Sequence, residues 1–412
     1  MRILLVNKYH YIRGGSETYY FGLADLLRKA GHEVFFFSMQ DERNIPCDES
    51  DYFVSNIEFN GELSASQKVK AGLRMVYSIE AKRKIEKLII DKKPDIVHIN
   101  LFHRVMTASI VDAAKKHGIP VVFTMHDLNC ICPNHTMLDH GEICEDCLKG
   151  NYNNCVKRVC FKDSRMKCLM AAIESEYNKL SGLYKKIDLF ITPSEFYRNK
   201  MMESGLTKSP VICLRNFLPA DTVFAPYYEH EGYFLYFGRL TIEKGVRTIL
   251  KAVELAQGIK LKVAGTGEDE AFLHNYVKNN QIINQVEFLG FLSGEKLKET
   301  VQKAKCILLP SEWYENGPYS IMEAMAAGKP VIVSDMGGLP EIVKNGENGF
   351  ISKAFDINSL ADCILKVDNL CEKEYRVMSE NSVNKAKIWF DASKYMKDLE
   401  VLYSELVQRY RR

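Results

Sequence analysis

Short apolar runs alternate with longer stretches of helical spacing along almost the whole chain, and the alternation restarts once near the middle. A run of four or five apolar residues leaves no face for water, so each such strand must be covered on both sides. Helices between successive strands supply the cover, and they make the sheets parallel. In the first half the runs fall at residues 3–6, 34–37, 96–99, 121–124 and 189–192. In the second they fall at 233–237, 261–264, 286–289, 306–309 and 331–334. Residues 17–29 carry the helical spacing of Tyr20, Leu23, Leu26 and Leu27 between Gly14-Gly15 and Gly31.

The break lies at residues 214–231, a polar, turn-rich stretch holding Asn216, Phe217 and Pro219. A chain of 412 residues has room for two or three domains at about 150 residues each. The pattern selects two: residues 1–215, with a cysteine-rich insert at about 130–168, and residues 216–390. A helix over 391–412, with apolar Leu399, Val401, Leu402 and Leu406, leaves two placements open, one against each half, packing back on the first domain being one of them. The fold class is α/β, two Rossmann-like domains facing across a cleft, with the ligand beyond the carboxyl ends of the strands.

Charge narrows the partners. The net charge of +2 argues against a dedicated nucleic-acid binder. Residues 65–93 and 149–186, however, each hold nine Lys or Arg against three acids. In the first window the cations interleave with Leu73, Met75, Val76, Ile79, Ile85, Leu88 and Ile89. In the second they include Lys157, Arg158, Arg165 and Lys167. Either window reads as a solvated helix face or as a surface for anionic lipid. Asn7, Lys8 and His10 break the first apolar run too soon for a secretory leader, and no stretch approaches the ~18 apolar residues of a membrane span. The expected location is cytoplasmic, with possible residence on the inner face of the membrane.

The densest chemical signal is Glu315-Asn-Gly-Pro-Tyr-Ser-Ile-Met-Glu323. Pro318 suits a first helical turn, so a helix starts there, and the N–H groups of Tyr319, Ser320 and Ile321 point at an anion such as a diphosphate. Each glutamate can accept two hydrogen bonds from a vicinal diol, so one suits a sugar and the other a ribose. Gly238-Arg239 and Lys244-Gly245 follow the strand at 233–237, where two cations converge on phosphate oxygens or are merely solvated. Gly265-Thr-Gly267 lacks the third glycine of a dinucleotide fingerprint and reads as a tight strand-to-helix turn. In the first half, Gly14 and Gly15 open a helix at the end of a strand. His126 follows the strand at 121–124, and Asp127 either orients it or caps a turn.

Twelve cysteines are present, seven of them between Cys130 and Cys168. Cys144-x-x-Cys147 is a zinc spacing, and Cys132 with Cys155 or Cys160 would complete a tetrahedral structural site. The alternative is a set of reduced, buried thiols.

Gly14-Gly15, His126-Asp127, Gly238-Arg239 with Lys244-Gly245, Gly265-Thr-Gly267, Glu315 with Glu323, and Asp335-Met-Gly337-Gly338-Leu-Pro-Glu341 stand in an order spanning both halves. This set resembles the family 4 retaining glycosyltransferases of the GT-B fold. The resemblance implies a nucleotide-sugar donor, UDP- or GDP-linked, and a glycan or lipid-linked acceptor, with no catalytic metal. It assigns Arg239 and Lys244 to the donor diphosphate, helped by the backbone of Ser320 and Ile321. Glu323 falls to the ribose, Glu315 to the transferred sugar, His126 to sugar or acceptor, and Gly15 to close backbone approach. Some bacterial members carry a similar cysteine-rich insert. Competing readings are a GT-B epimerase, hydrolase or phosphorylase, or a zinc-dependent interaction module.

Overall fold

The computed structural model describes residues 1–56, 72–219 and 224–411, so part of the first basic window lies outside the described residues. The chain divides into two compact units, Met1–Arg215 with Ala392–Arg412, and Asn216–Asp391.

In the first unit the strands are β1 (Arg2–Val6), β2 (Glu33–Phe37), β3 (Ile96–Ile99), β4 (Val121–Thr124), a small hairpin of β5 (Leu138–Asp139) and β6 (Glu142–Ile143), β7 (Leu189–Thr192) and β8 (Val211–Cys213). Six of them form one sheet in the order β2-β1-β3-β4-β7-β8, and every pairing is parallel. Every residue of β3, β4 and β7 is buried, as sheets covered on both faces require. The order turns back between β1 and β3, so the loops that leave those two strands open a crevice at their carboxyl ends.

The helix Gly15–Lys29 buries Tyr19, Tyr20, Leu23 and Leu27 against this sheet. The final helix, Ala392–Arg411, belongs to the same unit. Its Tyr395 hydroxyl meets that of Tyr19, its Tyr403 hydroxyl meets His98 Nδ1, and Arg411 pairs with Asp95 at 2.7 Å. Buried hydroxyls need such partners, which makes this contact specific rather than merely greasy.

The second unit repeats the plan with β9 (Tyr233–Phe237), β10 (Lys260–Ala264), β11 (Val286–Gly290), β12 (Cys306–Leu309), β13 (Val331–Ser334) and β14 (Gly349–Ser352). Their order is β11-β10-β9-β12-β13-β14, all parallel, with the turn-back between β9 and β12. Each of the ten predicted runs is a strand. The edge strands β8 and β14 escape the apolar-run criterion. β8 has three half-buried residues and β14 opens on glycine, because an edge needs less apolar cover than a centre.

The basic helix Ile79–Lys92 faces inward with its apolar side: Ile85, Leu88 and Ile89 are buried. For these residues the lipid-facing reading is therefore replaced by a core-facing one. Ile79 and Ile90 do stay exposed.

Candidate active site

At the turn-back point of the second sheet, the loops leaving β9, β10 and β11 are stitched together through their backbones, and the loop leaving β12 joins that of β9 through Glu312 N–H to Glu243 O at 2.8 Å. Gly238 N–H donates to Ala264 O at 3.0 Å, Leu240 N–H to Thr266 O at 2.9 Å, and Gly265 N–H to Gly290 O at 2.8 Å. Gly265 sits at φ +147°, and a Cβ there would lie 1.8 Å from Gly238 O. A Cβ on Gly267 would lie 2.1 Å from Leu240 O. Both glycines are thus required by close backbone approach, as in a tight strand-to-helix turn.

These loops bring together two residues 71 apart in sequence: Lys244 Nζ lies 2.5 Å from Glu315 Oε1. Ser311 Oγ and Trp313 Nε1 donate to the same oxygen, at 2.7 and 2.8 Å. Glu315 is buried. Burial alone would raise its carboxyl, but the Lys244 ammonium and the donated hydrogen bonds outweigh that and hold it below the usual carboxylate range. Arg239 is exposed and has no carboxylate partner among the described residues. Ser311 and Trp313 went unnoticed in the sequence. Their spacing of four and two residues from Glu315 is a signal only once that residue is known to be a hub.

The helix after Glu315 spans Tyr319–Ala326. Pro318 is extended (ψ 127°) and caps this helix rather than entering its first turn. Its carbonyl accepts the N–H of Ile321 at 3.1 Å. Ile321 N–H is therefore already engaged, contrary to the expectation that it faces an anion, while Ser320 N–H has no acceptor among the described residues. Glu323 lies one turn on, half-buried and without a side-chain partner among the described residues. Burial pushes its carboxyl up to about 8.

That shift has a consequence for stability. Glu323 keeps its proton in the folded protein where the unfolded chain has lost it, so its contribution is full below about 4.5 and declines as pH rises toward 8. Relative to Glu323→Gln, the wild-type protein should lose at most ~1.4 kcal/mol per pH unit across that window, one proton's worth. Thermal melts of both proteins at pH 5, 6.5 and 8 check this; parallel curves would refute it.

In the first unit, Gly14 is the extended N-cap of the helix Gly15–Lys29 (φ −174°), and a Cβ there would find nothing nearer than Glu17 Oε2 at 3.9 Å. Gly14 and Gly15 are exposed. His126 stands just beyond β4, its Nε2 2.9 Å from Asn100 Oδ1, with the Tyr19 ring edge-on at 4.8 Å. Burial lowers its pKa to about 3, so it is neutral. Asp127 does not orient the ring: its Oδ1 accepts the N–H of Asn129 at 3.0 Å and caps a turn. Asn100 does the orienting. Its place directly after β3, at the turn-back of the sheet, was the signal that could have found it.

Cys132, Cys144, Cys147, Cys155 and Cys160 all line one small cavity of about 10 Å³, together with Asn134 and Arg158. Spacing alone allowed either a zinc or reduced thiols there, and the side chains as arranged do not bring a metal-ligand set together. Among the described residues no three of His, Cys, Asp or Glu are grouped to hold a metal ion. The thiols instead serve one another and the local core. Cys160 Sγ lies 3.5 Å from Cys155 Sγ, and Phe161 N–H donates to Cys168 Sγ at 3.3 Å. Cys147, Cys155 and Cys168 pack with Tyr152 and Phe161, the arrangement of reduced, buried thiols. Arg158, one of the cations of the second basic window, is held by Asp139 and Asp146.

Two family models cover most of the chain: Glycosyltransferase Family 4 matches residues 13–221, and Glycosyl transferases group 1 matches residues 222–385. An uncharacterized 42.6 kDa protein in the cps region of Klebsiella pneumoniae is 26% identical over 87% of this chain and 92% of its own length. The amylovoran biosynthesis glycosyltransferase AmsK of Erwinia amylovora is 30% identical over 31% of this chain and 34% of its own. Among solved structures, Anabaena HepE in complex with UDP-glucose superposes with a TM-score of 0.67 at 17% identity, over 98% of this chain and 100% of that one. The last likeness speaks to fold, which is GT-B. With both halves matched in order, the chain belongs to glycosyltransferase family 4.

Proposed function

We propose that this glycosyltransferase moves a hexosyl sugar, with retention of anomeric configuration, from a UDP- or GDP-sugar to a glycan or lipid-linked acceptor in cell-surface polysaccharide synthesis. One observation carries the reading: a buried carboxylate–ammonium pair, Glu315 with Lys244, beside an exposed Arg239 and a helix N-terminus. Departure of the donor diphosphate develops negative charge. Arg239, Lys244 and Ser320 N–H can meet that charge with groups already in place, doing what a divalent ion does in other transferases. Lys244 would exchange Glu315 for a phosphate oxygen, freeing the carboxylate to hold the sugar. Glu323 would take the ribose hydroxyls, and the glycines at 238, 265 and 267 keep the surrounding backbone close. His126 and the Gly14-Gly15 turn of the first unit would serve the sugar or the acceptor. The UDP-glucose bound by HepE and the amylovoran role in the name of AmsK support the donor class and the glycan acceptor.

A thermal-shift screen against UDP-, GDP- and dTDP-sugars tests the donor assignment. A true donor at 100 times its Kd should add about 2.7 kcal/mol to the apparent stability. If no nucleotide sugar moves the melt, the reading fails. Nucleotide release that needs no acceptor would favour an epimerase or hydrolase instead.

The helix Arg165–Leu180 exposes Met166, Leu169, Ile173 and Leu180 along one side, Met166 at 68%, with Lys162, Arg165 and Lys167 beside them. An apolar stripe edged by cations suits an anionic bilayer. No helix among the described residues is long and apolar enough to cross one. The protein is expected to sediment with anionic vesicles at low salt and to lose most of that binding on Met166→Ser with Leu169→Ser; recovery in the supernatant with wild type would sink the idea.

A further inference from the structure

The structure assigns Asn100 as a positioning residue that fixes the tautomer of His126, so that His126 Nδ1 is an acceptor for a substrate hydroxyl. This rests on the reading that His126 touches the sugar or the acceptor. Asn100 follows β3 and is fully buried. Its side chain cannot flip freely. Nδ2 lies 3.3 Å from Val6 O, and the Asn100 backbone N–H donates to the same carbonyl at 2.8 Å. Turning the amide over would set Oδ1 against the Val6 carbonyl oxygen and lose the hydrogen bond from Nδ2, both costly in a buried place.

Oδ1 is thus the atom that faces His126, and an amide oxygen only accepts. The hydrogen must sit on Nε2, 2.9 Å away. A neutral imidazole carries one N–H, so Nδ1 keeps its lone pair, and Nδ1 has no partner among the described residues. The neighbours do not supply a second proton. Tyr19 meets the ring edge-on, His98 is engaged by Thr124 Oγ1 at 2.7 Å and by Tyr403, and Asp127 is turned to Asn129.

The chemical consequence is selective. A lone pair attracts a hydroxyl and repels a phosphate oxygen, so His126 reads a sugar or acceptor hydroxyl and not the diphosphate. Had the ring been held by a carboxylate, it would carry charge and suit the phosphate instead.

Histidine-selective ¹⁵N NMR of the full chain, with His126 assigned by its loss in His126→Gln, tests this directly. The wild type is expected to show the Nε2–H form. Asn100→Asp, protonated and donating to Val6 O, keeps an acceptor on Nε2 and should keep that form. Asn100→Ala should give a tautomer mixture, and should lower kcat on the order of 10²-fold with the donor KM unchanged, because a misplaced group costs rate rather than binding. Asn100→Asp should restore most of the rate. An Nδ1–H tautomer in the wild type overturns the proposal even if Asn100→Ala fails to fold. So does an Asn100→Ala protein whose tautomer and kcat are those of wild type. Full turnover in His126→Gln, with the tautomer as expected, overturns instead the placement of His126 at the reacting centre.

Discussion

Glu315→Gln is expected to lower turnover by roughly 10²- to 10³-fold while the protein stays folded, the scale seen when one charge-stabilising group is removed from a transition state. The substitution keeps shape and changes three relationships at once. Lys244 loses its counter-charge at 2.5 Å, and Ser311 and Trp313 lose a charged acceptor, each bond to which is worth about 1.5–3 kcal/mol. A glutamine can offer its oxygen to one or two of those donors but cannot neutralise the lysine. Lys244→Ala should be as damaging and less well tolerated, because it leaves a buried carboxylate unpaired, which costs up to about 3–5 kcal/mol. If the two residues act as one unit, the double variant should be scarcely slower than the worse single one. Acceptor-dependent nucleotide release at saturating donor, with circular dichroism as the folding control, reads this out. Wild-type turnover in Glu315→Gln would remove Glu315 from the site.

The two β-α series were legible because a strand covered on both faces is written as a mostly apolar run, as at residues 3–6 and 233–237, bounded by turn signals and helical stretches. The switch-point rule then located the loops that matter. Local spacing could not reveal partners set by tertiary approach. Lys244 and Glu315 each read as ligands of a different part of the donor, and only the fold shows them bonded to each other across 71 residues. Asn100 carried no motif, and Asp127, adjacent to His126 in sequence, drew the role that Asn100 holds in space. The helix Ile79–Lys92 shows a second limit. A 3.6-residue apolar period is the same whether the apolar side meets a sheet or a lipid, so Ile85, Leu88 and Ile89 could not declare which. Cysteine spacing has the matching weakness: it fixes how far the backbone travels between thiols, not where each sulfur points.

Gly265→Ala should destabilise the second unit by about 3–5 kcal/mol, roughly 10 °C in its melting temperature, and abolish donor-induced stabilisation. Two independent costs add. At φ +147° an alanine is strained by about 1–3 kcal/mol. Its Cβ would also sit 1.8 Å from Gly238 O and 3.0 Å from Gly238 C, both backbone atoms that cannot swing aside like a side-chain tip. To make room, the loops leaving β9 and β10 must part by more than an ångström, which breaks Gly238 N–H to Ala264 O and Leu240 N–H to Thr266 O, at about 1 kcal/mol each. Those same loops carry Arg239 and lead to Lys244, so a stability defect and a binding defect must appear together. Gly14→Ala is the control. Its backbone is extended and its new methyl would meet nothing within 3.9 Å, so it should melt within about 0.5 kcal/mol of wild type. A Gly265→Ala protein as stable as Gly14→Ala would mean that the backbone contact between these loops is not needed. The proposed phosphate-facing geometry, which is built on that contact, would fall with it.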